Sequence, residues 1–333
     1  MSRLSVHIGS DARSALCEAF DHARTSIDAE FYSIGDSEVV ARLNDAARRG
    51  VRVRVTLEGD THRYRGPRAV EPEDAVVRGE LDDEIDVVIS RLPHALVHGK
   101  AAVVDHRIAF VATANATQTG FDAQGEVAIE DRDRVDVRAV LREIDGAAAG
   151  DTVHPRLRDA LRALFASPRD LRVASEDLSD WRTVAWLVHR VRAGRHDRVL
   201  IGRPASRCAG EMLKRLTDAG VDVRAPSAGY MHEKFVDDGE RTYVGSANLT
   251  RNGLDESYEV GVVAARGDFV DGGSSLRADL DRPWSDAQLI GRYKKATGSP
   301  ALERTARWRR SSRSNVPQSV SARRSRSIAS TCG

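Results

Sequence analysis

The chain has 333 residues, 41% of them hydrophobic and 30% charged, with a formal net charge of +1, which suits a globular protein large enough for two cores. That balance excludes a fibrous or wholly disordered chain, and no apolar run approaches a membrane span. The start, Met1 to Phe20, has neither a continuous apolar segment nor a small-residue cleavage site, so the expected location is cytoplasmic.

In chain order, Ser10 reads as the N-cap of a helix over Ala12 to Ala23. Ser26 to Ser33 alternates apolar and polar residues as a strand does. Gly35-Asp36-Ser37 opens a helix through Arg49, and the β-branched run Val51 to Leu57 predicts the next strand. Strand, helix and strand joined by short loops imply an α/β sheet with helices on its faces. Residues 60 to 83, rich in Arg, Asp, Glu, Gly and Pro, predict an irregular excursion. Glu84 to Ser90 and Ala95 to Val104 return to the sheet, which puts His98 and Lys100 on a strand. Asp131 to Gly150 and Pro155 to Ala166 predict linking helices, and Trp181 to Arg192 a helix ahead of a second lobe that starts near Arg198. Asp268 to Tyr293 completes that lobe. From Leu302 to Gly333 eight arginines face one glutamate, a balance of +7 that leaves −6 for the rest of the chain. This Ser/Arg-rich tail predicts disorder and contact with nucleic acid or an anionic membrane. The expected divisions are a first lobe over 1–130, a helical linker over 131–196, a second lobe over 197–300 and the tail over 301–333.

Only five of the 51 basic residues are lysine: Lys100, Lys214, Lys234, Lys294 and Lys295. Lysine carries a compact charge suited to one phosphate oxygen, where arginine is a planar fork. Two of the five stand in a repeat. His98-Gly99-Lys100 is followed by Asp105 and Ala112-Thr113-Ala114-Asn115; His232-Glu233-Lys234 is followed by Asp237-Asp238 and Gly245-Ser246-Ala247-Asn248. From each asparagine the offsets to Thr117, Gly120, Asp122 and Glu126 equal those to Thr250, Gly253, Asp255 and Glu259. Upstream, Ile27 to Tyr32 followed by Gly50 to Val55 matches Arg198 to Gly202 followed by Gly220 to Arg224, a separation of 170 against 134 for the histidines. The first copy therefore carries a longer connection. Side chains at i and i+2 of a strand share a face, so His and Lys of each motif can reach one phosphate.

The repeat resembles the phospholipase D superfamily, marked by a duplicated H-x-K-x4-D motif followed by G-S-x-N, and the resemblance runs from about Ser5 to Val263. It implies two pseudo-symmetric lobes, each a mixed β-sheet flanked by helices. It also implies phosphodiester chemistry in which His98 attacks phosphorus while His232 protonates the leaving oxygen. Lys100, Thr113 and Asn115, with Lys234, Ser246 and Asn248, are the expected phosphate contacts. Glu126 and Glu259 are expected to accept the other ring N–H of each histidine. The scheme uses no metal or other cofactor. Two departures stand out: Thr113 replaces the motif serine, and the second motif is one residue short. Its aspartate is assigned to Asp238, ten before Asn248 as Asp105 is ten before Asn115. Both aspartates are grouped with the catalytic set, in a supporting role. Phe31, Tyr32 and Tyr230 are candidate channel residues.

The leading expectation is hydrolysis or transfer of a phospholipid headgroup. Alternatives are a metal-independent DNA or RNA nuclease, a cardiolipin synthase-like phosphatidyltransferase, and a non-catalytic binding protein with a decayed site. Because both motifs lie in one chain, a monomer suffices to build the site. Cys17, Cys208 and Cys332 lack CxxC spacing, and His62, His106, His154, His189 and His196 have no partner at metal-ligand spacing.

Overall fold

The computed structural model describes residues 4–59, 79–90, 96–122, 126–149, 157–202, 207–226 and 231–289. Most of the excursion, the tail and Tyr230 lie outside them. The elements of the first half are β1 (Ser5–Ile8), α1 (Ser10–His22), β2 (Ser26–Phe31), α2 (Ser37–Arg48), β3 (Arg52–Glu58), β4 (Asp86–Ser90), β5 (Lys100–Val104), β6 (Ile108–Ala112), α3 (Gln118–Asp122), β7 (Val127–Asp131) and α4 (Arg134–Ala149). Those of the second are α5 (Leu157–Phe165), β8 (Arg172–Ser175), α6 (Trp181–Arg192), β9 (Arg198–Ile201), α7 (Arg207–Asp218), β10 (Asp222–Pro226), β11 (Lys234–Asp237), β12 (Arg241–Gly245), β13 (Gly261–Ala265), α8 (Ser274–Asp286) and β14 (Ala287–Leu289). A short π-helical turn spans Asn252–Glu256.

The strands form two seven-stranded sheets, ordered β1-β7-β6-β5-β2-β3-β4 and β13-β12-β11-β8-β9-β10-β14. In each, three parallel strands adjoin an antiparallel set: β2, β3 and β4 on one side, β8, β9 and β10 on the other. The helices α1 and α2 bury Leu16, Phe20, Val39 and Leu43 against the first sheet. The helices α5, α6 and α7 bury Leu161, Leu187 and Leu216 against the second. Between the sheets, Val127 and Ile129 share a core with Phe235 and Val244. The lobes are thus joined through apolar contact, which is favourable in proportion to the area removed from water.

Register corrects the upstream repeat. Phe31 lies opposite Lys100, and Ser175 opposite Lys234, so β2 corresponds to β8 and β3 to β9, at a separation of 144. The helix caps agree. Asp36 accepts from the backbone N–H of Glu38 and Val39, and Asp180 from that of Thr183. Both α2 and α6 are followed by glycines in the left-handed region, Gly50 at φ 85° and Gly194 at φ 82°. The clamps agree too: Arg13 of α1 bridges Asp36 and Asp122, and Arg158 of α5 bridges Asp180 and Asp255. The second lobe accordingly starts with α5, inside the stretch expected to be a helical linker. Strand β8 escaped the sequence reading because it is four residues long and begins with arginine. From Phe31 to Lys100 is 69 residues and from Ser175 to Lys234 is 59, so the first connection is longer by ten rather than 36. A smaller correction concerns α1, whose cap is Gly9 at φ 57°, with Ser10 already in the first turn.

One buried charge shows how the lobes tolerate polar strands. Asp28 on β2 is fully buried and is held by Arg52 at 2.7 Å and Arg54 at 2.9 Å. Leaving such a carboxylate unpaired costs about 3–5 kcal/mol, so both arginines belong to the fold.

Candidate active site

Lys100 opens β5, and His98 lies just ahead of it rather than within the strand. The lead-in is stitched to the other lobe: Val97 bridges Tyr258, and the His98 N–H donates to the Tyr258 carbonyl at 2.9 Å. His232 likewise precedes β11. Each lysine is fully buried and donates from Nζ to the carbonyl oxygen of its own histidine at 2.6 Å. Burial disfavours the charged form of both: Lys100 is brought down to about 7, and Lys234 is lowered as well. Burial also lowers the His98 imidazole, against the opposing pull of Glu259.

The glutamates serve the histidines crosswise. His98 Nδ1 donates to Glu259 at 2.9 Å, and His232 Nδ1 donates to Glu126 at 2.8 Å. Each carboxylate therefore fixes the ring of the opposite lobe through Nδ1, so that Nε2 is the ring nitrogen left to do chemistry. Burial pushes Glu126 upward, but His232, Lys234 and Thr113 outweigh it and hold this carboxyl below the usual range.

Thr113 and Ser246 sit behind those glutamates and not on the phosphate, a correction to their expected role. The Thr113 hydroxyl donates to Glu126 and accepts from the Val127 N–H at 3.0 Å. The Ser246 hydroxyl donates to Glu259 and accepts from the Val260 N–H at 2.9 Å. Both side chains are buried, and the threonine hydroxyl makes the same bonds as the serine hydroxyl. The other repeated landmarks are local geometry. Thr117 and Thr250 accept from the Gly120 and Gly253 N–H. A Cβ on either glycine would come within 2.4 Å of the Asn115 carbonyl oxygen or 2.5 Å of that of Asn248.

The two aspartates lie beyond the far ends of their strands, about 16 Å from Lys100 for Asp105 and about 13 Å from Lys234 for Asp238 at the usual rise per residue, so neither joins the catalytic set. Asp105 accepts from the backbone of Arg24, Thr25 and Ser26 and anchors the loop between α1 and β2. Those backbone bonds overcome burial and lower its carboxyl. Asp238 accepts from the N–H of Glu240 and Arg241 in its own hairpin turn. The missing residue falls in this turn: five residues separate Val103 from its partner Ala109, four separate Asp237 from Thr242. The strand facing is therefore undisturbed.

Two differences separate the half-sites. Following the register, Tyr32 of the first lobe corresponds to Glu176 of the second. The Tyr32 ring meets His98 edge-on at 5.1 Å and lies 5.7 Å from Lys100 Nζ, while its neighbour Phe31 is core. Glu176 Oε2 lies 3.3 Å from His232 Nε2, 3.5 Å from Lys234 Nζ and 3.0 Å from Asn248 Nδ2, which donates to it. Asn115 Oδ1, by contrast, is buried without a hydrogen-bond partner among the described residues. Glu176 does not emerge from the sequence repeat, because matching Ile27 to Arg198 pairs β2 with β9, whereas the register pairs it with β8.

The second difference lies behind the motif. A Cβ on Gly99 would come within 2.2 Å of Glu30 Oε1, so a side chain here would displace Glu30, whereas the second motif has the buried Glu233. Glu30 on β2 corresponds to Ala174 on β8. The first lobe thus buries the Glu30 carboxyl from β2 behind its motif, and the second buries Glu233 from within the motif itself. Burial, reinforced by Glu259, raises Glu30 to about 8, so it is neutral at physiological pH.

Among known families, a model described as cardiolipin synthase, PLD-like domain, matches residues 16–147 and again 160–274. No curated protein sequence matches the chain significantly. Among solved structures, phosphatidylserine synthase from Haemophilus influenzae Rd KW20 is similar at a TM-score of 0.62 and 12% identity, over 92% of this chain and 94% of that one. Polyphosphate kinase from Porphyromonas gingivalis is similar at 0.61 and 16%, over 93% of this chain and 53% of that one. NucT from Helicobacter pylori matches at 0.40 and 16%, over 45% of this chain and 98% of that one.

Proposed function

The chain belongs to the cardiolipin synthase PLD-like domain family within the phospholipase D superfamily, whose members act on phosphodiesters, and from that premise we propose that it hydrolyses or transfers a phospholipid headgroup through a phosphohistidine. The observation that carries the reading is the crossed pair of His–Glu contacts, made by partly buried histidines with buried glutamates and flanked by two buried lysines. It supplies two oriented imidazoles and two lysine amines for one phosphorus.

In this reading His98 Nε2 attacks phosphorus, the bond to the leaving oxygen breaks, and His232 gives its proton to that oxygen. His232, now neutral, takes a proton from water or an alcohol, whose oxygen attacks phosphorus as the P–N bond breaks and His98 is restored. Lys100, Lys234, Asn115 and Asn248 hold the equatorial oxygens; losing one such donor costs about 10²–10³ in kcat. The direction of attack is supported by the contrast between the rings. Burial lowers the His98 imidazole, which suits the nucleophile, whereas His232 Nε2 lies 3.3 Å from the Glu176 carboxylate.

A lipid substrate is favoured by the description of the family model and by the full-length likeness to a phosphatidylserine synthase. The charge of −6 outside the tail also disfavours a polyanion, whose binding draws on neutralised phosphates. The test is turnover in chelator on phosphatidylcholine vesicles and on single-stranded DNA, each with a His98→Ala control. Headgroup release, or its transfer to an added alcohol, lost in the control supports the reading. DNA cleavage lost in the control moves the protein to the nucleases, and turnover unaffected by His98→Ala removes the paired-histidine mechanism.

A further inference from the structure

The second half-site is already occupied. The three groups that would bind a phosphate oxygen there, His232 Nε2, Lys234 Nζ and Asn248 Nδ2, converge on one oxygen of Glu176 at 3.3, 3.5 and 3.0 Å. A carboxylate oxygen accepting from an amide and facing an ammonium presents the same chemistry as a phosphate oxygen. Glu176 remains partly exposed, unlike the lysine it meets, and stands just beyond the end of β8, where its side chain can turn outward without disturbing the sheet. The first lobe has no counterpart, because Tyr32 holds that position and brings no charge.

We propose that Glu176 is a specificity-determining residue: in the substrate-free protein its carboxylate fills the phosphate-oxygen position of the second lobe, and a ligand must displace it to enter. This deepens the phosphodiesterase reading and rests on it. A diester with organic arms brings further contacts to offset the displacement. Free phosphate brings none, so it is turned away.

The same competition helps product leave. A diester carries one negative charge, whereas a monoester product carries about −1.5 to −2 at neutral pH. Two lysines and two asparagines would hold that product more tightly than the substrate. A carboxylate that returns to Lys234 and Asn248 opposes this, and inhibition by product stays weak.

The experiment measures the dissociation constant of inorganic phosphate by calorimetry, and its inhibition of turnover of a soluble chromogenic diester, for the wild type, Glu176→Gln, Glu176→Ala and Tyr32→Glu. Glu176→Gln keeps the shape and removes the charge, and thermal melts confirm folding of each variant. The expected result is a dissociation constant about tenfold lower in both Glu176 variants, equivalent to about 1.4 kcal/mol, with stronger inhibition by phosphate. Adding Lys234→Ala to Glu176→Gln should abolish that gain. Tyr32→Glu, which places a carboxylate in the first half-site, should weaken phosphate binding about tenfold. Unchanged or weaker phosphate binding in Glu176→Gln overturns the proposal, even if His98-dependent turnover shows the phosphodiesterase reading to be sound. A gain in affinity without turnover of any diester supports the displaced carboxylate and sinks the phosphodiesterase reading instead.

Discussion

The two lobes hold their histidines by the same means and surround them with different groups. Both have an aspartate N-cap clamped by an arginine, Asp36 with Arg13 and Asp180 with Arg158. Both place a hydroxyl behind a glutamate, and both aim that glutamate across the interface. They diverge where the phosphate would lie, Tyr32 against Glu176, and behind the motif, where Glu30 and Gly99 stand against Ala174 and Glu233. Equal scaffolds with unequal linings are what a two-step displacement requires. Two rings must be oriented alike, while one begins neutral and the other protonated.

The crossed glutamates offer the largest break in that comparison. Glu259→Gln and Glu126→Gln should each lower kcat about 100-fold, since they orient the reacting rings. In a double-mutant cycle Glu259→Gln should add little to His98→Ala but its full effect to His232→Ala, and Glu126→Gln should do the reverse. Steady-state kinetics that paired each glutamate with the histidine of its own lobe would refute the crossing.

The buried carboxyls sharpen it through stability. Glu30 is raised from 4.5 to about 8 in the folded protein, so between those values the native state holds a proton that the unfolded state has lost. Stability from this group is full below about pH 4.5 and falls as pH rises towards 8. Glu30→Gln removes the titration, so the variant should gain about 2–4 °C in Tm relative to the wild type on moving from pH 5 to pH 8. Parallel Tm curves for the two proteins would show that Glu30 does not hold a proton.

The smallest effect concerns Thr113. Its hydroxyl makes the bonds that Ser246 makes, so Thr113→Ser should leave kcat/KM within about twofold of the wild type. A large gain would mean that the first lobe is impaired by its departure from the motif.

The sequence made the repeat legible because local geometry ties its spacing: Thr117 must reach Gly120, and Gly120 must clear Asn115. Strand type and helix position followed from periodicity, and Trp181 to Arg192 is helical as predicted. What spacing cannot carry is partnership between copies. Glu126 and Glu259 have the same offset, so nothing local says which histidine each meets. The upstream match failed because a short apolar strand beside a glycine looks alike at Ile27 and at Arg198. The caps Asp36 and Asp180 carry the true separation of 144.

The crossing also sets the unit of activity. With His98 governed by Glu259 and His232 by Glu126, a chain cut after Ala149 would give two fragments, each carrying a histidine without the carboxylate that orients it. Neither would turn over substrate alone, and mixing them would restore activity in proportion to reassociation. Under the proposed reaction, turnover would therefore report lobe assembly, and fragment complementation would serve as a direct assay of the interface.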